Sequence, residues 1–338
     1  MTGTVLVARL DNAGDVLLAG PAIRAVAAHA DEVVLLAGPR GRAAADLLPG
    51  VSRVIEWRAP WIDSDPGPVT SGHVAVLHEA VRAVAPDVAL VLTSFHQSPL
   101  PLALLLRLAG VSWIGAISED YPGSLLDLRH RIAGDPPETQ RSLSLAHAAQ
   151  YPLPEGDAGL LAVRGPLPSV DDLTGGPGYL VVHPGASAPA RRWPAAHYAR
   201  TVIALVAAGH RVLVTGSRGE RRLTAQVAGS TSIDLGGRTD LRSLAAVLGG
   251  ARVVVAGNTG PAHLAAAVGT PVVSLFAPVV PATRWAPYGI PSVLLGDQQA
   301  PCRDTRARHC PVAGHPCLAG VGPAQVVEAV DALLGVTA

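Results

Sequence analysis

Two blocks of short β-branched apolar runs alternating with Ala/Leu-rich stretches of helical length constrain this chain more than any other feature. In the first block, residues 5–10, 32–37, 51–57, 88–93 and 111–117 read as strands. Helices are expected at about 19–30, at 73–84 and from Leu100. Continuously apolar strands separated by helices belong to a parallel sheet covered on both faces, because a parallel connection must cross over the sheet. Residues 61–71, rich in Pro, Gly and Asp, read as a surface loop. From Ser118 to Asp157 the pattern weakens, with Asp120-Tyr121-Pro122-Gly123 and Gly134-Asp135-Pro136-Pro137 as turns.

Between Arg164 and Gly178 lie four Gly, three Pro and two Asp, a composition that suits a linker. Beyond it the alternation restarts, with strands at 179–183, 212–215, 233–235, 253–255 and 272–276. Helices are expected at 195–208, 220–228, 240–248, 261–268 and 323–334. At 338 residues each half is long enough to bury a core. The expected division is 1–165, a linker at 166–178, and 179–338. Two Rossmann-like domains whose parallel sheets face across a cleft form the α/β arrangement called GT-B, with ligands at the C-terminal ends of the strands.

The 26 basic residues are all Arg. A P-loop, a protein-kinase site and Schiff-base chemistry each need a lysine, so all three are excluded. Phosphate here is held by Arg or by backbone N–H groups. The 26 acidic residues balance the charge, so no global field draws nucleic acid. No apolar run spans a bilayer and the first residues enter a strand without a secretory leader. The expectation is a cytoplasmic protein with at most peripheral membrane contact. Cys302, Cys310 and Cys317 lack a C-x-x-C pair. A packed loop is preferred there over a zinc site involving His309 and His315, and neither metal nor cofactor is expected.

Four segments carry chemistry. Asp11-Asn12-Ala13-Gly14-Asp15 follows the first strand and puts the Asp15 carboxylate at the start of a helix, as a cap or as a cleft-facing acid. His183-Pro184-Gly185-Ala186-Ser187, with Arg191 and Arg192 close behind, combines small-residue N–H groups and two guanidiniums, a setting for a diphosphate as well as for a solvated Arg pair. Thr215-Gly216-Ser217-Arg218-Gly219-Glu220 offers Gly216 and Glu220 to a ribose or base. Gly257-Asn258-Thr259-Gly260-Pro261 joins a strand to a helix, so Asn258, Thr259 and Gly260 present N–H groups, a hydroxyl and a helix dipole to an oxyanion. His263, one turn on, reads as a core histidine or as a contact. His96 and Gln97 close a first-half strand and are either acceptor contacts or ordinary loop residues. No G-x-G-x-x-G occurs, which argues against a nicotinamide dehydrogenase.

In this order the segments resemble the ADP-heptose:lipopolysaccharide heptosyltransferases, glycosyltransferase family 9. The resemblance rests on Arg9-Leu10-Asp11 with Gly14-Asp15-Val16-Leu17, on His183 to Ser187 with Arg192-Trp193-Pro194, and on Gly257 to Leu264 with Gly269-Thr270-Pro271. The late Cys302, Cys310-Pro311 and Cys317-Leu318 pattern is similar too. It implies metal-independent, inverting transfer of a sugar from a nucleotide diphosphate such as ADP-heptose, with an acceptor-binding first domain and a donor-binding second one. Asp15 matches the family's base, which takes a proton from the acceptor hydroxyl. The donor-binding set it implies is Ser187, Arg191, Arg192, Gly216, Glu220, Asn258, Thr259, Gly260 and His263. Arg191 stands where the family commonly has Lys, and Asn258 where several members carry Asp. The acceptor is a cell-envelope glycan or a small molecule. A nucleotide-sugar epimerase of the same fold and a non-catalytic nucleotide-sugar binder are the alternatives.

Overall fold

The computed structural model describes residues 3–336, so the outermost limits expected for the domains, residues 1 and 338, lie outside the described residues. The chain forms two compact units, Met1–Arg164 and Gly165–Ala338.

In the first unit, strands β1 (Thr4–Arg9), β2 (Glu32–Ala37), β3 (Arg53–Glu56), β4 (Val88–Val91), β5 (Trp113–Ile117) and β6 (Leu128–His130) form one sheet in the order β3-β2-β1-β4-β5-β6. Every pairing is parallel, with Val7 opposite Leu35 on one side and Leu90 on the other. Strand order reverses between β1 and β4, and such a switch point leaves a crevice beyond the strand ends where ligands bind. On one face of the sheet the core collects Leu6, Ala8, Leu36 and Ile114 against Leu77 and Leu102 from the covering helices.

Two differences from the sequence reading bear on the site. The first helical stretch begins at Ala13, runs to Leu18, and is followed by a second helix at Gly20–Ala27 that carries a proline in its opening turn. Proline lacks the N–H that would continue the ladder, so the helix expected at about 19–30 stands apart from an additional one before it, which carries Asp15 in its first turn. The weakly patterned region also holds a regular helix, Glu138–Ala148, directly after Pro137. It buries Glu138, Thr139, Arg141 and Ser142 along with Leu145, so its inward face lacks the apolar periodicity that would announce it.

In the second unit, β7 (Tyr179–His183), β8 (Val212–Val214), β9 (Ile233–Asp234), β10 (Ala251–Gly257), β11 (Val272–Leu275) and β12 (Ser292–Leu295) are ordered β12-β11-β10-β7-β8-β9. This is the same winding as in the first unit, again all parallel, with its switch point between β7 and β10. The core packs Leu180, Val182, Trp193, Tyr198, Val255 and Leu275 together with Cys302 and Cys317. Residues 166–178, expected as a linker, include a helical turn at Asp171–Thr174 that ends on Gly175 at φ 72°, with Thr174 buried. No helix among the described residues is long and apolar enough to cross a membrane.

Candidate active site

At the switch point of the first unit, β1 ends in a buried arginine. The Arg9 side chain is 1% exposed, and its Nε lies 2.8 Å from Asp11 Oδ2. Nη2 is 3.3 Å from Asp15 Oδ1 and donates to Ser94 Oγ at 3.0 Å, while Nη1 and Nη2 both reach Glu138 Oε2 at 3.5 Å. Arg141 completes the cluster, with Nε 3.7 Å from Glu138 Oε1. One guanidinium thus binds three carboxylates delivered by a strand end, a short helix and a distant helix. Burial works against the Arg9 charge, but Asp11, Asp15 and Glu138 outweigh it and the net shift is upward. Burial raises Asp11 and Glu138, with Arg9 pulling each the other way.

Asp15 differs from its neighbours in reach. Its side chain is 18% exposed, against 7% for Asp11 and 0% for Glu138. Gln97 is brought to the same cluster, its amide N–H₂ donating to Asp11 and its Oε1 accepting from the Ser94 N–H at 3.1 Å. Both ends of that amide therefore hold the loop after β4. His96, next to it, is exposed and packs edge-on against Phe95 with ring centres 5.2 Å apart. Arg9, Asp11, Ser94, Glu138 and Arg141 were not singled out as functional from the sequence. An arginine ending a continuously apolar strand is a signal that was available for the first of them.

In the second unit the loops after β7, β8 and β10 meet at the corresponding edge. His183, the last residue of β7, is buried, and its Nδ1 is 3.0 Å from Thr215 Oγ1. Burial lowers it to about 4, with Glu220 opposing, so the imidazole is neutral at physiological pH. Glu220 accepts from the Ser217 N–H at 2.8 Å and the Ser217 hydroxyl at 2.7 Å. Burial opposes its charge, but the hydrogen bonds from Ser217, with Arg192 nearby, outweigh that and hold it low. Its carboxylate lies against Gly185, where an added Cβ would sit 2.2 Å from Oε1. Gly216 is buried beside it, under Thr224.

Arg192 Nε donates to the Ala186 carbonyl at 2.9 Å, and Arg191 Nη1 donates to the Asn258 carbonyl at 3.4 Å. The two arginines therefore tie the Ser187 loop to the loop after β10, and Ser187 itself is exposed. Thr259 stands at the N-cap of the Gly260–Ala267 helix in extended conformation, and no side chain caps that helix. Its hydroxyl makes only a long 3.4 Å contact to the Gly257 carbonyl. Arg191, through the Asn258 carbonyl, is thereby held close to Thr259 and the start of this helix, a combination suited to oxyanions. Asn258 is 4% exposed and turns its amide to Ala277, donating to the carbonyl and accepting from the N–H. It joins the ends of β10 and β11. His263 is likewise buried, inside the helix. No group of three or more His, Cys, Asp or Glu side chains converges in metal-binding fashion among the described residues. Burial, then the neighbouring Cys302, pushes the Cys317 thiol up to about 12.

The chain matches the family described as Glycosyltransferase family 9 (heptosyltransferase) over residues 74–314. That segment is most of the chain and includes the three converging loops of the second unit. The chain belongs to glycosyltransferase family 9. It is accordingly a glycosyltransferase. Arg9 and Asp15 precede the matched segment. No curated protein sequence matches the chain. Among solved structures, it is similar to a family 9 glycosyltransferase from Veillonella parvula at TM-score 0.77 and 15% identity, covering 98% of this chain and 97% of that one. E. coli ADP-heptose lps heptosyltransferase II is similar at TM-score 0.73 and 20% identity, with 99% of each chain covered. E. coli heptosyltransferase WaaC with ADP-2-deoxy-2-fluoro heptose gives 0.73 and 19%, covering 97% and 99%. The fold is that of these GT-B enzymes, two parallel six-stranded α/β units.

Proposed function

We propose that this enzyme moves heptose, with inversion, from ADP-heptose to a hydroxyl of a cell-envelope glycan or small-molecule acceptor, and that Asp15 takes the hydroxyl proton. One observation carries the role of Asp15: of three carboxylates on one buried guanidinium, it alone has appreciable exposure, 18%. A base must be both oriented and reachable, and Asp15 meets both conditions. ADP-heptose as donor is supported by family membership and by WaaC, whose structure holds a fluorinated ADP-heptose.

In this reading Arg191 and Arg192 neutralise the departing diphosphate in place of a metal, helped by Thr259 Oγ1 and the start of the Gly260–Ala267 helix. Ser187, Gly216 and Glu220 take the remaining polar groups of the donor, the Glu220 carboxylate accepting from ribose hydroxyls. Asn258 and His263 hold the loop and helix in place from within. His96 meets the acceptor, while Gln97 fixes the loop that carries it. The first unit thus serves the acceptor and the second the donor.

Calorimetry with ADP-, GDP-, UDP- and dTDP-sugars tests the donor, and an adenine preference is expected. Binding of another nucleotide in preference to ADP would remove heptose from the proposal. Transfer, followed as ADP release over a panel of glycan and small-molecule acceptors, is expected to fall about 10²- to 10⁴-fold in Asp15→Asn while ADP binding persists. Undiminished transfer would remove Asp15 from the mechanism.

A further inference from the structure

We propose that Glu138 and Arg141, two positioning residues on the Glu138–Ala148 helix, govern how readily Asp15 accepts its proton by setting the charge balance around Arg9. The inference rests on Asp15 being the base and deepens that reading.

An arginine beside a carboxylate stabilises the charged form, which would spoil a base. Arg9 is not spent on Asp15 alone. Its Nη2 is divided among Ser94 Oγ at 3.0 Å, Asp15 Oδ1 at 3.3 Å and Glu138 Oε2 at 3.5 Å, and its Nε belongs to Asp11. Glu138 is wholly buried, so neither water nor salt screens its effect. Arg141 sits on the far oxygen of Glu138 and works in the opposite sense. The charged and titratable groups of the cluster are Arg9 on β1, Asp11 on the following turn, and Glu138 and Arg141 on the helix. His130 on β6 lies next to Arg141 and is kept from charging by burial and then by that arginine.

With every carboxylate ionised, two guanidiniums face three carboxylates and one negative charge is unbalanced. A proton taken up at Asp15 removes that excess, so the transfer step brings a buried cluster to neutrality. Asp11 and Glu138 are too enclosed to meet an acceptor hydroxyl, so of the three carboxylates Asp15 is the one placed to receive its proton. Replacing Glu138 by a neutral isostere leaves Arg9 balanced before the proton arrives, and the gain is lost. Replacing Arg141 enlarges the excess and strengthens the pull.

The test is a pH titration of the full chain labelled with carboxyl-¹³C aspartate, with Asp15→Asn identifying the Asp15 resonance. In Glu138→Gln the Asp15 midpoint is expected to fall by about one pH unit, and in Arg141→Gln to rise by a similar amount. The acid limb of ADP release from ADP-heptose should move with each, and Glu138→Asp should restore the original profile. Should Glu138→Gln not fold, Arg141→Gln decides alone, because it leaves all the Arg9 pairs in place. Unmoved midpoints in folded variants overturn the inference even where Asp15→Asn is inactive. An active Asp15→Asn with shifted midpoints overturns the base reading and leaves the electrostatic coupling standing.

Discussion

The two units wind their six strands in one order and still put opposite chemistry at the same place. Where β1 ends, a buried guanidinium gathers three carboxylates. Where β7 ends, a neutral histidine, glycine-rich turns and a helix without a side-chain cap come together. The winding fixes where a ligand can sit, because helix starts and loop N–H groups collect at the strand ends, and the loop residues then decide what is done there. A fold shared twice within one chain separates those contributions cleanly. The first site is filled with paired charge, three carboxylates around one guanidinium. The second is built from glycines, hydroxyls and two arginines that donate to backbone carbonyls.

Removing the cation is the harshest way to break the contrast. Arg9→Met keeps the length of the side chain but leaves Asp11, Asp15 and Glu138 buried together without their partner. Breaking a buried pair from one side costs about 3–5 kcal/mol, and here three acids are stranded. Chemical denaturation should show a loss of that size near neutral pH, partly recovered on acidification as the carboxylates protonate. A cost below about 1 kcal/mol would mean that Arg9 is not the keystone of the first unit.

Acid should separate the units next. His183 titrates at about 4 in the fold against an ordinary 6.5, so between those values the unfolded chain binds the extra proton. Stability from this residue is therefore present above pH 6.5 and lost as pH falls toward 4, about 3 kcal/mol in all. Asp11 and Glu138 are raised, so their contribution has the reverse sign and declines as pH rises through their folded values. Denaturation followed from pH 7 to 4 should show less acid sensitivity in His183→Asn than in the unaltered chain. Equal sensitivity would show that His183 is not held neutral.

How much of this was legible beforehand differs between the units for the same physical reason. The second site is built from glycines, a hydroxyl and arginines contiguous in three short loops, and sequence order alone places them at strand ends. The first is assembled from Arg9, Ser94 and Glu138, far apart in the chain. Glu138 rides on a helix whose buried face is polar, so no apolar stripe marks it. Both parallel sheets were readable because their strands are continuously apolar. The short edge strands β6 and β12 were missed because all of their described residues but Ser292 are only half-buried, and Ser292 is exposed. Asn258 and His263 show the opposite limit: residue type and loop position suggested ligand contacts, yet their side chains are buried.

Backbone packing behind the first site gives a smaller effect. Gly38 follows β2, and an added Cβ would lie 2.4 Å from the Leu10 carbonyl oxygen. Main chain cannot swing aside as a side chain can, so Gly38→Ala should displace the Arg9-Leu10-Asp11 segment at a cost of about 1–3 kcal/mol. Thermal denaturation measures the cost. ADP binding, assigned to the other unit, should be unchanged, and a matching loss of ADP affinity would show that the two sites are not independent.

The corresponding change in the second unit should spare stability and strike the ligand. At Gly185 an added Cβ would meet the Glu220 carboxylate, 2.2 Å from Oε1 and 2.4 Å from Cδ. That group is the end of a flexible side chain, but Ser217 holds it through both its N–H and its hydroxyl. Gly185→Ala therefore has to break those two hydrogen bonds or move the loop after β7. The carboxylate is half-exposed and finds water when displaced, so the fold should lose little, below about 1 kcal/mol. A nucleotide that relies on Glu220 and the Gly185 backbone would meet a shifted acid and a methyl group in its place. Calorimetry is expected to show ADP binding weakened about tenfold, equivalent to about 1.4 kcal/mol. A Gly185→Ala protein that binds ADP as before would take Glu220 out of the donor site, since the substitution cannot leave that carboxylate where it stands.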